Sequence, residues 1–140
     1  MKAAAINERS AYTLYMLGVT LHMLNYNKAA IVALQAAAVE TPSSPAVFIA
    51  LGAAQRGERD YASAEKSLLN AKKLERTESA ELYKELAALY GEMHQYDKAV
   101  ADLEQMLKVG SFADEDIAKI KEQIRIWKDL AAKQTSKRGQ

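Results

Sequence analysis

The chain has no cysteine in its 140 residues, so a disulfide framework, a thiolate metal site and a thiol nucleophile are all excluded. This composition is compatible with a reducing, cytoplasmic setting, which is the expected localisation. Only two prolines and six glycines punctuate it, and no segment alternates apolar and polar residues long enough to predict a strand. Long hydrophobic runs are missing too. The fairly apolar stretch from Ala11 to Leu24 is too short to cross a bilayer. Lys2, Glu8 and Arg9 bring charge in too early for a secretory apolar core. The net charge is +1, so no overall field draws nucleic acid or a membrane surface, and neither is expected as a partner.

Chemistry is scarce as well. His22 and His94 stand far apart, with no carboxylate or second histidine at metal-ligand spacing. There is no glycine-rich phosphate loop. The serines fall at turn and exposed helix positions, where capping explains them better than nucleophilicity. No metal, cofactor or catalytic set is therefore expected, and the chain does not read as an enzyme.

Charge is thin in one part of the chain. Residues 1–55 carry only Lys2, Glu8, Arg9, Lys28 and Glu40, while residues 56–140 hold 16 basic and 16 acidic side chains. Tyr12, Tyr15, Met16, Val19, Met23 and Val32 cannot all point inward on two thin helices, so an apolar surface patch is expected there. The competing expectation is that an alanine-rich first helix packs on residues 1–10 and needs few charges.

What is present in quantity is self-similarity. Tyr-x-x-Ala occurs at Tyr26/Ala29, Tyr61/Ala64 and Tyr96/Ala99, a step of 35 residues. Gly18, Gly52 and Ala87 precede the tyrosines by 8, 9 and 9 residues, so the first turn reads as one residue short. A period of this size predicts stacked supersecondary units. Helices are expected over about 7–24, 28–40, 45–57, 61–74, 78–93 and 97–109, with turn chemistry between them. Pro45 falls at a helix start, where its missing N–H costs nothing.

The second copy runs Phe48, Leu51, Gly52, Gln55, Tyr61, Ala64, Leu68, Ala71, and the third Tyr83, Leu86, Ala87, Tyr90, Tyr96, Ala99, Leu103, Met106. The first gives Leu14, Leu17, Gly18, Leu21 and, at its far end, Pro42. These copies resemble the tetratricopeptide repeat (TPR), a helix–turn–helix unit of about 34 residues. The departures are the short first turn, Gln55 at a usually apolar place and Met106 where alanine is usual. The resemblance covers roughly residues 11–110 and implies an all-α fold, an α-solenoid of three helix–turn–helix units. Beyond them, Ile117, Ile120, Ile124, Trp127 and Leu130 recur at spacings of three and four, predicting an amphipathic capping helix over about 114–132. Ser111 and Asp114 resemble a capping box, and Trp127 reads as a large anchor on the third repeat. Residues 1–132 are read as a single domain with repeats at about 11–44, 45–79 and 80–111, and 133–140 as a flexible basic tail.

The resemblance also implies where a partner would sit, because in this family the first helix of each unit lines the concave face. Carried over residue by residue, the candidate partner-binding residues are Tyr12, Tyr15, Val19, His22, Met23, Ile49, Ala53, Arg56, Glu81 and Lys84. The groove would change along its length from aromatic and apolar to small to charged. It would suit an apolar segment of a protein or peptide client. Repeat proteins that grip the acidic tails of heat-shock chaperones use Lys and Asn where Tyr15 and Val19 stand, so that partner class is not expected. The expected role is a protein-interaction module, a small cytoplasmic chaperone or adaptor, with a weaker likeness to bacterial secretion chaperones of the same repeat type. The alternative is a structural assembly subunit or homo-oligomer scaffold that uses the apolar first repeat as a permanent interface.

Overall fold

A computed structural model describes residues 2–76 and 78–139, with side chains from Arg9 onward. Among these residues there are seven helices and no strand: α1 (Lys2–Met23), α2 (Asn27–Glu40), α3 (Pro45–Gly57), α4 (Tyr61–Leu74), α5 (Ala80–Glu92), α6 (Tyr96–Val109) and α7 (Asp114–Arg138). The fold is all-α, with α1 packed on α2, α3 on α4 and α5 on α6, each pair joined by a three-residue turn. The chain divides into two compact units, Met1–Arg76 and Thr77–Gln140. In the first unit α3 also packs on α2, and in the second α7 packs on α6.

Small residues set how closely the paired helices approach. A Cβ on Gly52 would lie 2.6 Å from Cγ of Leu68, whose side chain is fully buried. Gly18 stands in the same relation to buried Leu34. A residue with a side chain at either place would push a core leucine out of its rotamer or the helices apart.

These contacts correct the register of the first copy. Gly18 and Leu34 lie 34 residues before Gly52 and Leu68, and the alanine buried to 0 % in α2 is Ala30, the partner of Ala64 at that step. Ala29 is exposed, and Tyr26 is 62 % exposed and lies before the helix. Asn27 takes the place held by Tyr61 and Tyr96, each the first residue of its helix. The first turn is thus not short. All three turns have equal length, and the extra residue of the 35-residue step falls in segment 75–79, one longer than 41–44.

The turns share one backbone solution. Asn25, Arg59 and His94 have φ of 65°, 60° and 59°. Each is followed by an N–H that reaches back five residues: Tyr26 to Leu21 O (2.8 Å), Asp60 to Gln55 O (3.0 Å) and Gln95 to Tyr90 O (2.8 Å). This is a Schellman ending with the left-handed residue supplied by side chains other than glycine. Asparagine tolerates that region; arginine does so at a cost. Arg59→Gly should therefore raise unfolding free energy by up to about 1 kcal/mol in a urea titration, the entropy of glycine offsetting part of the relief. A loss of stability would contradict the strain.

Gln55, at a place usually apolar, is buried and accepts a 2.6 Å hydrogen bond at Oε1 from Ser67 Oγ, also buried. The pair satisfies itself inside the α3–α4 contact. Met106, where alanine is usual, is buried as well.

The last helix differs from expectation at both ends. Its N-cap is Ala113 with no side-chain bond, so Ser111 sits two residues too early to form the capping box. Asp114, Glu115 and Asp116 in the first turn still favour the helix dipole. Residues 133–138, read from sequence as a tail, continue the helix: α7 runs to Arg138, and Gln134 Nε2 donates to the His94 carbonyl at 2.9 Å. Trp127 is half-buried, its ring lying on Gly91 and 6.4 Å from that of Tyr96.

Candidate functional site

In the first unit, α1 carries five of the ten candidate residues. Tyr12 and Met23 are 65 % and 78 % exposed, whereas Tyr15, Val19 and His22 are half-buried. Met16, Leu17, Leu24, Tyr26, Val32 and Val39 are exposed too. Large apolar side chains on the surface are thus concentrated between residues 12 and 39, the stretch poorest in charge. The competing explanation, packing on residues 1–10, falls mostly on side chains outside the described ones.

The first helix repeats a pattern that α3 puts to use. Leu51 and Ala54 on α3 pack with Ala30 and Leu34 of α2 in one buried cluster. One repeat earlier the same two positions are Leu17, 49 % exposed, and Thr20, also exposed. A face that is core on α3 is surface on α1.

Tyr12 and Tyr15 line a hollow of about 290 Å³ together with Ala11, Thr41, Ser44, Ala46 and Val47. It lies where the middle of α1 and the first turn of α3 meet the loop after α2, and none of these side chains carries a charge. His22 has a different duty. Its Nδ1 lies 2.6 Å from Oδ1 of Asn27, and a Cβ on Gly57 would meet the same Asn27 amide at 2.5 Å. Asn27 is thereby held between α1 and α3, and His22 is engaged in that join. Ile49 and Arg56 are half-buried, and Ala53 is 6 % exposed, so it offers a partner almost no surface.

In the second unit, exposed Glu81 and Lys84 line a hollow of about 390 Å³ with Ala80, Met106, Phe112, Asp116, Lys119 and Ile120. The two hollows hold equivalent repeat positions, since Glu81 and Lys84 stand 69 residues beyond Tyr12 and Tyr15. Asp116 and Lys119, absent from the sequence-derived set, lie 35 residues beyond Glu81 and Lys84, so the repeat period itself could have named them. Leu17 was foreseen as a repeat residue but not as surface.

The outer face of α7 is of another kind. Arg125 bonds Glu122 at 2.6 Å and 3.0 Å and reaches Asp129 at 3.3 Å. The hydrogen bond from Arg125 holds the Glu122 carboxyl below the usual carboxylate range, and Glu122 raises Arg125 in turn. These are solvated, self-paired side chains. Among the described residues no three His, Cys, Asp or Glu side chains are gathered for a metal ion, and no helix is long and apolar enough to cross a membrane.

No protein-family model matches the chain, and no curated protein matches it in sequence. Solved structures do match in shape. The first TPR domain of human RPAP3 superposes with a TM-score of 0.79 at 18% identity, covering 91% of this chain and 96% of that one. The first TPR of Spaghetti (RPAP3), bound to the HSP90 peptide SRMEEVD, gives 0.77 at 18% identity over 89% of this chain and 97% of that one. YrrB, a TPR protein with an unusual peptide-binding site, gives 0.71 at 17% identity over 90% of this chain and 62% of that one. Three helix–turn–helix units, glycines at the close approach of the first two pairs and a seventh helix packed on the last pair give this chain the fold of tetratricopeptide repeat domains.

Proposed function

We propose that the chain is a protein-interaction module, a small chaperone or adaptor that holds an apolar segment of a client protein on the α1 surface of its first unit. The observation that carries this reading is the concentration of exposed Tyr12, Met16, Leu17 and Met23 on one helix, with exposed Leu24 just after it, beside an uncharged, tyrosine-lined hollow. Tyrosine gives a large contact at low entropic cost, and methionine adapts its shape to differing ligands. Neighbours of the same fold hold peptides, which supports the class of function. The acidic peptide of the Spaghetti complex is not the ligand class proposed, because Tyr15 and Val19 give a carboxylate no cationic partner. Catalysis forms no part of the proposal, and a cytoplasmic setting fits a chain without cysteine.

A second reading draws on the exposed Leu17 and Thr20, whose counterparts on α3 are core. On that reading the same face is a permanent contact in an assembly of identical or different subunits.

Tyr15→Glu with Met23→Glu separates the two. A charge buried in an apolar contact without a partner carries a large desolvation cost, enough to abolish an interaction of about micromolar strength. Lost binding to Leu- and Phe-bearing peptides at unchanged sedimentation mass supports the client-holding reading. A mass that falls by half, with no peptide bound by the parent chain, supports the assembly reading. If neither changes while helicity is intact, both are wrong.

A further inference from the structure

We propose that the hollow of the second unit is a distinct peptide subsite, one that selects an apolar side chain flanked by one cationic and one anionic residue. The inference rests on the reading of the chain as a peptide-holding module. It assigns this part of the chain a ligand chemistry different from that of the first unit.

The floor is apolar. Met106 and half-buried Phe112 and Ile120 form it with Ala80. Phe112 is brought in by Gly110, where a Cβ would collide with its ring, so the loop after α6 cannot carry a side chain there without displacing the floor. A hollow of about 390 Å³ has the size of a small ligand site. It can admit one large side chain with part of its backbone.

The rim carries two signs in a fixed order. Glu81 on α5 and Asp116 on α7 each stand one turn before a lysine on the same helix, Lys84 and Lys119. Three residues of helix rise about 4.5 Å, so each acid and its lysine line successive levels of the hollow. Among the described residues no ion pair engages Glu81, Lys84 or Asp116, and Lys119 pairs only with exposed Glu115 at 3.1 Å. A doubly acidic ligand would meet Lys84 and Lys119 but be repelled by Glu81 and Asp116, and a doubly basic one the reverse. A ligand with one charge of each sign about an apolar residue satisfies both levels. Like-charge juxtaposition is what rejects the others.

In the equivalent hollow of the first unit, the rim residues corresponding to Glu81 and Lys84 are Tyr12 and Tyr15, neither of which carries a charge. The two subsites are therefore separable by experiment.

The test uses the full chain with 13C-methyl methionine and three blocked peptides that differ only at the residues flanking a leucine: Lys-Leu-Glu, Glu-Leu-Glu and Lys-Leu-Lys. The mixed peptide should shift the Met106 methyl resonance and bind about tenfold more tightly than either like-charged one at low salt. Lys84→Glu with Lys119→Glu makes the rim wholly acidic and should invert the preference toward Lys-Leu-Lys. These side chains are exposed, so the fold should survive. Tyr15→Glu with Met23→Glu should leave the Met106 response unchanged, so failure of the first-unit reading does not imitate failure here. Equal binding of the three peptides, no response at Met106, or no inversion in the charge variant would each overturn the proposal.

Discussion

Gly52→Leu is expected to destabilise the first unit by about 3 kcal/mol, the upper end of the cost of overpacking. The new side chain must grow into Leu68, which has no exposed surface, and its Cβ already stands 3.3 Å from the Ala64 carbonyl oxygen. The leucine can give way, but the backbone oxygen can do so only if α3 and α4 separate. Helix propensity works the other way and offsets about 1 kcal/mol of the loss. A double-mutant cycle makes the argument sharper. Leu68→Ala alone should cost about 3 kcal/mol, as a fully buried leucine does. The double variant should cost at least about 1 kcal/mol less than the sum, because the new leucine occupies the volume that the old one vacates. Chemical denaturation of the four proteins checks this. Additive costs would mean that Gly52 and Leu68 are not packed on one another.

Trp127→Ala should cost about 3 kcal/mol, the low end for truncating tryptophan because the ring is half-buried and not fully enclosed. The loss is large relative to what holds α7. Only Ile124 and Ala131 are buried among its described residues, and the ring bridges to Gly91 and Tyr96. The Lys128–Glu104 ion pair at 3.4 Å joins α7 to α6, but both side chains are largely exposed and contribute little. Truncation should therefore release α7, with a fall in helicity larger than a single residue explains. Trp127 is the sole tryptophan, so native emission reports on this contact directly and should be blue-shifted from that of free tryptophan. A melting curve like that of the parent, or emission at the free position, would show that the ring does not anchor the helix.

The repeat period was legible in the sequence because close helix approach leaves a simple mark, a small residue with a leucine 16 residues later: Gly18/Leu34 and Gly52/Leu68, which pack together, and Ala87/Leu103 at the same spacing. The phase of the first copy was not. Tyr26 imitates the helix-opening tyrosine, and Ala29 beside Ala30 lets either register satisfy the need for a small residue. The glycines already disagreed with the tyrosines, 34 residues against 35, and packing follows the glycines because Leu34 leaves no room for another choice. The extension of α7 was missed because residues 133–138 are polar and lack an apolar stripe. What ties them is a side-chain bond from Gln134 to a turn 40 residues away, which composition does not encode.

The candidate site was legible in part for the same reason. Tyr12 and Tyr15, and Glu81 and Lys84, share a hollow in each unit because first-helix positions three apart face one way. His22 and Ala53 satisfy that spacing yet serve packing, since what a side chain meets across a helix join depends on the neighbour: Asn27 for one, burial for the other. Leu17 is the converse, a repeat residue left at the surface.

The reading of α1 as the client surface is tested most directly by methionine methyl resonances during titration with an uncharged peptide that presents Leu and Phe. The chain has five methionines. Met16 and Met23 are exposed on α1, and Met93 is half-buried in the turn before α6. The account predicts saturable shifts at Met16 and Met23 with Met93 unmoved and the sedimentation mass constant. Shifts confined to Met93, or none at any peptide concentration, would contradict it.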